Sequence, residues 1–319
     1  MMEVYQVILI ILSALLLFAG VLLGLLYILY RLAFRGLKTP RDPYGGLTPE
    51  SYDGNGARLR PLIDDLAAKE STRLSITARD GVRLYASYYH TASGAPLQIL
   101  CHGYRSSAMR DMCGGAREVL KAGHNLLLVH TRAHGESEGK SITFGYKEAQ
   151  DLCDWAEYMQ DYLGAAPTVL VGISMGAATA LIASALPLPD SVKCIIADCP
   201  YSSTEQMLKR EIRKKHLPVS IFYPLMRLSA RIFAGFDPRD ASPVDAVKGA
   251  RIPILLIHGD ADGFVPPEMS REIYAACSSE CELVEVASAT HAMSYMVDSE
   301  RYTEACHQFM SKHMNIKFD

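Results

Sequence analysis

Residues 168–186, TVLVGISMGAATALIASAL, decide the fold. The stretch begins as a short continuous apolar run, breaks at Gly172-Ile173-Ser174-Met175-Gly176, and resumes as a helical pattern of small residues. A strand buried on both faces reads as an unbroken apolar run, without alternation. The two glycines allow strand and helix backbones to pass close together, and the strained turn between them exposes a serine hydroxyl. A second Gly-x-Ser-x-Gly, Gly135-Glu136-Ser137-Glu138-Gly139, lies in a charged loop with no helix after it. Three fixed residues give about 0.1 chance matches in a chain of this length, so context must separate the copies. Context selects Ser174 as the nucleophile candidate and leaves Ser137 as a loop serine.

Working outward, the same kind of run recurs in LQILCHG (97–103), NLLLVH (125–130), KCIIAD (193–198), ILLIHG (254–259) and ELVEVA (282–287). Helical patterns separate them, as at 145–163 with Leu152, Trp155, Ala156 and Met159 in phase. Continuous strands alternating with helices predict an α/β protein whose parallel sheet is covered on both faces. Ahead of this, TRLSITA and VRLYASYYH alternate around Asp80-Gly81, the signature of a β-hairpin with a two-residue turn. The interval 199–250 is too long for a simple crossover and carries two helical patterns, which predicts a small cap over the sheet.

A serine hydroxyl becomes a nucleophile only beside a base, and the base needs a carboxylate to orient it. In doubly wound sheets reacting groups collect at the carboxyl ends of strands. Asp262 follows ILLIHG in HGDADGFVP, and His291 follows the last strand in ATHAMS. Asp260, two residues earlier, is the competing acid, and Asp198 at the end of KCIIAD is another. His102, His134 and His258 read as loop-positioning residues. None of the ten histidines shows the spacing of a metal site.

The N-terminus is different in kind. Residues 4–30 carry no charge, enough helix to cross a ~30 Å hydrocarbon core, with Tyr27 and Tyr30 where interfacial aromatics belong. A cleaved signal peptide would need a basic leading segment and a shorter apolar core. Arg31, Arg35, Lys38 and Arg41 follow the span and no Lys or Arg precedes it, which predicts a single-pass anchor with the bulk of the chain cytoplasmic. Eight cysteines without Cys-x-x-Cys suit a reducing compartment. Residues 38–61, rich in Pro, Gly, Asp and Asn, read as an irregular tether. The expected division is an anchor at 1–31, a juxtamembrane tether at 32–71 and a catalytic domain at 72–319, with the cap at about 200–250. Of 319 residues 49% are apolar and 21% charged, the net charge is −3, and no basic stripe points to nucleic acid.

Taken together, HGY (102–104), RAHGESEG (132–139), GISMG (172–176), HGDADGFVP (258–266) and THA (290–292) resemble the α/β-hydrolase superfamily. More narrowly they resemble its Bem46-like and serine-aminopeptidase-like (S33) branch. The likeness covers about 72–313, and the order Ser174, Asp262, His291 is the order of that fold. It implies an eight-stranded, mostly parallel sheet with helices on both sides. It also implies an oxyanion hole built from the backbone N–H groups of Tyr104 and Met175. His130 stands where the family usually carries Asp, which leaves the local hydrogen bonding of that loop open.

The expected function is that of a membrane-anchored serine hydrolase acting on ester or thioester bonds of small or lipid-like substrates, with no cofactor. A peptidase of the same branch, a silent membrane-tethered binding module and a non-hydrolytic use of the fold are the alternatives. An exopeptidase needs a cap carboxylate for the substrate ammonium, and Glu205, Glu211, Asp237 and Asp240 are the candidates before Asp245. The cap segment 207–236 also has two readings. Lys209, Arg210, Arg213, Lys214 and Lys215 are either a solvated face or a surface for anionic headgroups, above an apolar stretch that would admit an acyl chain.

Overall fold

The computed structural model describes residues 2–36, 44 and 46–318. Lys38 and Arg41, part of the flanking charge, lie outside the described residues. The chain begins with α1 (Met2–Ala33), followed by α2 (Ser51–Gly54) and α3 (Gly56–Ala67). Strands β1 (Thr72–Thr77), β2 (Arg83–Tyr89) and β3 (Leu97–Cys101) lead to α4 (Ala108–Lys121), β4 (Asn125–His130) and α5 (Tyr146–Leu163). The centre of the fold is β5 (Thr168–Ile173), α6 (Met175–Ala183) and β6 (Val192–Asp198). Helices α7 (Thr204–Lys214) and α8 (Val219–Ser229), a π-helical turn at Ala230–Ala234 and α9 (Pro243–Ala246) intervene before β7 (Ile254–Gly259). The chain closes with α10 (Glu268–Ala276), β8 (Cys281–Val286), α11 (Ser294–Val297) and α12 (Ser299–Met314).

The eight strands form one sheet in the order β1-β2-β4-β3-β5-β6-β7-β8. Pairing is antiparallel from β1 to β2 and from β2 to β4, and parallel across the rest. Every residue of β3 and β7 is buried, as unbroken apolar runs require. One face packs on α5, α6 and the cap through Trp155, Met159, Leu181 and Phe236. The other packs on α3, α4 and α12 through Ile63, Met112, Ala116 and Phe309.

Two expectations are corrected. The turn at Asp80-Gly81 is longer than two residues: pairing of β1 with β2 ends at Thr77↔Arg83. Asp80 instead reaches Arg132 at 2.8 Å. The juxtamembrane tether assigned to 32–71 contains α3, which begins inside the stretch read as irregular and whose Leu59, Ile63 and Leu66 are buried against α4. Their i, i+4, i+7 spacing is helical, and it lies beneath the Gly, Asn and Pro residues that suggested a loop.

The apolar α1 is long and apolar enough to cross a membrane over Val4–Ala33. Its C-terminal turns do not hang free. Leu26, Tyr30 and Phe34 are buried, and Tyr30 and Phe34 belong to the core beneath the cap. The Ser229 hydroxyl donates to the Leu26 carbonyl at 2.7 Å, and Tyr27 meets Phe233 edge to face at 5.4 Å. The helix end is capped by the loop after β3: Tyr104 Oη donates to the Ala33 carbonyl at 2.9 Å, and Arg105 Nη2 donates to the carbonyls of Arg31 and Arg35 at 3.1 Å each. Carbonyls with no helical partner are thereby satisfied, and a guanidinium sits at the negative end of the helix dipole. Gly36 then passes so near Ala133 that a Cβ would stand 2.4 Å from its carbonyl oxygen.

Candidate active site

Ser174 stands between β5 and α6 with φ 54° and ψ −113°, a conformation that L-residues adopt only when their surroundings enforce it. The flanking glycines are enforced by space. A Cβ on Gly176 would lie 2.1 Å from the Cys101 carbonyl oxygen, and one on Gly172 would meet the Gly176 backbone at 2.3 Å. The turn thus presents Ser174 Oγ at the carboxyl edge of the sheet, with Met175 opening α6.

The loops after β7 and β8 meet it there. His291 Nε2 lies 3.0 Å from Ser174 Oγ, and His291 Nδ1 lies 2.7 Å from Asp262 Oδ2. The backbone N–H groups of Phe264 and Val265 donate to Asp262 Oδ1 at 2.9 and 2.8 Å. Burial opposes ionisation of Asp262, but hydrogen bonds from His258, His291 and the Val265 N–H outweigh it and hold the carboxyl well below the usual carboxylate range. Asp260 is oriented differently: its Oδ1 accepts the Ser288 N–H at 2.7 Å. Asp198 is buried behind the site, accepts a hydrogen bond from the Ser294 hydroxyl at 3.3 Å, and is pushed up to about 6 by burial. His258 Nδ1 lies 2.6 Å from the Ser270 hydroxyl and Nε2 lies 2.9 Å from the Val265 carbonyl, so this ring braces the acid loop. Cys199 brings its thiol near Asp262 and His291, but burial holds it well above its ordinary range, protonated rather than a thiolate ligand.

The segment His102-Gly103-Tyr104 approaches from the other side. A Cβ on Gly103 would stand 3.5 Å from Ser174 Cβ. The segment is held by Asp111, in the first turn of α4, which sequence reasoning missed. Asp111 Oδ2 accepts the Gly103 N–H at 2.8 Å, and Oδ1 accepts the hydroxyls of Tyr52 and Ser106. The available signal was an acid one turn into a helix that begins just after His-Gly. Tyr52, from α2, was hidden in the stretch read as a tether.

The remaining histidines bond backbone and neighbours. His102 Nδ1 pairs with the Gly103 carbonyl at 2.9 Å, and its Nε2 accepts from the Thr131 N–H at 3.3 Å. His134 Nε2 accepts the Arg105 N–H at 3.0 Å. His130, in the position where Asp was expected, accepts the Glu136 N–H through Nδ1 at 3.3 Å. Ser137 donates to the His130 carbonyl at 2.5 Å and accepts the Tyr85 N–H at 2.9 Å, which places it as a turn-fixing serine.

A family model described as the alpha/beta hydrolase fold matches residues 96–219, which hold the His102-Gly103-Tyr104 loop and the Ser174 turn. The chain has the α/β-hydrolase fold. The hydrolase is 26% identical over 214 residues to the uncharacterized protein YqkD of Bacillus subtilis, covering 66% of this chain and 70% of that one. It is 23% identical over 280 residues to the alpha/beta hydrolase domain-containing protein WAV2 of Arabidopsis thaliana, covering 83% of each. Among solved structures it resembles a Pyrococcus furiosus esterase with a TM-score of 0.67 at 25% identity, covering 88% of this hydrolase and 100% of that chain.

Proposed function

We propose that this hydrolase is a membrane-anchored serine esterase that cleaves carboxylic ester or thioester bonds of small or lipid-like substrates through an acyl-enzyme. The observation that carries the reading is the continuous line of hydrogen bonds from Ser174 Oγ through His291 to Asp262. Ser174 attacks the acyl carbon, and His291 Nε2 takes the hydroxyl proton as the new C–O bond forms. The oxyanion is received by the N–H groups of Tyr104 and Met175. The bond to the leaving group breaks as His291 returns the proton to it. Water, deprotonated by the same imidazole, then releases the acid and restores Ser174. Asp262 fixes the imidazole with its Nδ1 proton inward and stabilises the imidazolium. No cofactor enters this sequence.

The esterase reading is favoured over the peptidase by the cap. Lys209 pairs with Glu205 at 2.6 Å, Lys214 with Glu211 at 3.1 Å, and Arg227 and Arg239 both engage Asp237. Carboxylates already occupied by cations are poor receivers for a substrate ammonium. The Bem46-like and S33-like assignment rests on the motifs. The anchor boundary at 31, the cap at about 200–250 and the cytoplasmic placement of the catalytic domain belong to the same proposal, whereas a boundary at 71 would cut α3 from the core it packs in. Burial of Leu26 and Tyr30 beneath the cap supports retention of α1, because a leader is dispensable and a core residue is not.

The test uses full-length protein in detergent micelles on p-nitrophenyl esters of graded chain length beside aminoacyl anilides. Ester turnover with a nitrophenolate burst is expected, and anilide turnover exceeding ester turnover overturns the reading. A reporter fused after Asp319 should function only if it works in the cytoplasm.

A further inference from the structure

We propose that the cap of this hydrolase is seated in the membrane it is anchored to. Helix α8 and the outer face of α1 form one surface for the acyl layer, and the substrate is an amphiphilic ester drawn from that bilayer. The substrate half of this inference rests on the esterase reading; the seating half does not.

The inward faces come first. Leu26 and Tyr30 on α1 and Phe34 just past its end recur at four-residue steps and are buried. Ser229 and Ala230 of the cap face them and are fully buried. In lipid, apolar contact alone does not bind helices together, so small residues and directional hydrogen bonds must do it. The contact has that composition: a small-residue pair, the Ser229 hydroxyl on the Leu26 carbonyl, and the Tyr104 and Arg105 bonds at the helix end.

The outward faces come next. Ile221, Pro224, Leu228 and Ile232 are exposed at steps of three to four residues, which is one stripe along α8 and the turn after it. Ile221 is 58% exposed and Ile232 49%, high for aliphatic side chains on a surface facing water. On α1, Leu25, Ile28 and Leu32 are exposed on the sides turned away from the Leu26 and Tyr30 seam. Arg231 and Arg31 are exposed next to these stripes, one residue from Ile232 and Leu32, where a guanidinium can reach headgroup phosphate while its stem stays in the apolar layer.

Length identifies the occupant. The uncharged run 4–30 makes about 40 Å of helix, against a hydrocarbon core of about 30 Å. Because the cap packs on the two turns that end in Tyr30, the surplus of about seven residues is assigned to that end. The part of α1 not needed for crossing is therefore the part that holds α8, which puts α8 at the boundary of headgroups and acyl chains. A bilayer is thus continuous with the surface α1 already requires. The basic run in α7 is the weaker candidate for this contact, because Lys209 and Lys214 are paired with acids and Arg210 donates to the Gly263 carbonyl at 3.0 Å.

The seating is read with full-length protein in phosphatidylcholine vesicles containing phosphatidylglycerol. Single nitroxide labels are placed at Ile221→Cys, Leu228→Cys and Ile232→Cys, with Tyr162→Cys on exposed α5 as the reference. Cys277 and Cys281, the two partly exposed cysteines, are replaced by serine in all four. Labels at 221, 228 and 232 should relax with dissolved oxygen and be shielded from a water-soluble nickel chelate, unlike the label at 162. Nickel accessibility equal to that at 162 overturns the seating. The variant carrying Ile221→Ser, Leu228→Ser and Ile232→Ser should hydrolyse a soluble short-chain ester at the wild-type rate and lose about tenfold or more on a long-chain ester embedded in the vesicles. Equal rates on both substrates relative to wild type, or equal losses, overturn the bilayer-borne substrate. Lipid-shielded labels on a protein that turns over no ester leave the seating standing and sink the esterase reading instead.

Discussion

Replacing Asp262 by Asn tests the proposed chemistry at the place where the structure makes the sharpest demand. The Phe264 and Val265 N–H groups both donate to Asp262 Oδ1. In the variant the amide oxygen must stay with these two donors, which turns the NH₂ toward His291 Nδ1, 2.7 Å from the present Oδ2. An NH₂ donates there, so Nδ1 has to accept and the imidazole proton moves to Nε2. Nε2 then points a hydrogen at Ser174 Oγ and has no lone pair with which to take the hydroxyl proton. The shape of the site is preserved while its base is lost. The expected fall in kcat is about 10⁴, or about 5 kcal/mol of transition-state stabilisation. The assay is steady-state hydrolysis of a p-nitrophenyl ester by full-length protein, with a melting curve to show that the variant is folded. Asp260→Asn is the control: its Oδ1 accepts one loop N–H, so the loss should be small. A folded Asp262→Asn variant with more than about a tenth of wild-type activity would falsify the argument, as would a larger loss from Asp260→Asn.

Three further outcomes are expected. A fluorophosphonate should label the wild type and Ser137→Ala but not Ser174→Ala, read by intact mass; labelling that depends on Ser137 reverses the choice of nucleophile. Asp111→Asn should lower kcat by about 10- to 100-fold with KM nearly unchanged, because an NH₂ facing the Gly103 N–H or the Tyr52 and Ser106 hydroxyls loosens the oxyanion loop; an effect confined to KM rejects the positioning role. Asp198 keeps its proton up to about 6 in the fold and to about 3.8 when unfolded, so the native protein loses stability as pH rises through that window, by about 3 kcal/mol. Asp198→Asn does not titrate and should gain on the wild type between pH 4 and pH 7 in denaturation curves, and a pH-independent difference contradicts this.

What the sequence disclosed depended on how local the signal was. The centre of the sheet was legible because β3 to β7 are buried on both faces and therefore write nearly unbroken apolar runs, while β1 and β2 betrayed themselves by alternation. The Ser174 turn was legible because its two glycines, one forced by the turn's own backbone and one by the neighbouring β3, stand between an apolar run and a helical pattern. Asp262 and His291 were legible because strand ends converge in such a sheet. Asp111 and Tyr52 were not, since the side-chain contact between them joins residues 59 apart and leaves no periodic trace. Helix α3 was obscured when punctuation residues were weighed above its apolar spacing. The docking of α1 was hidden most completely, because Leu26, Tyr30 and Phe34 suit lipid and protein equally well and composition does not distinguish the two.

The seam between α1 and the cap also sets an order of assembly. Tyr30 bonds Ser141, 111 residues downstream, and Leu26 bonds Ser229, 203 residues downstream. A ribosome releases chain from the N-terminus, so the apolar helix meets the insertion machinery long before its docking surface has been synthesised. On the proposed anchoring, the helix enters lipid as a solitary span and receives its partner afterwards. Until residue 229 has emerged, the nascent chain carries a finished Ser174 turn beside an unroofed site, and a premature stop in the cap would strand such a species at the membrane.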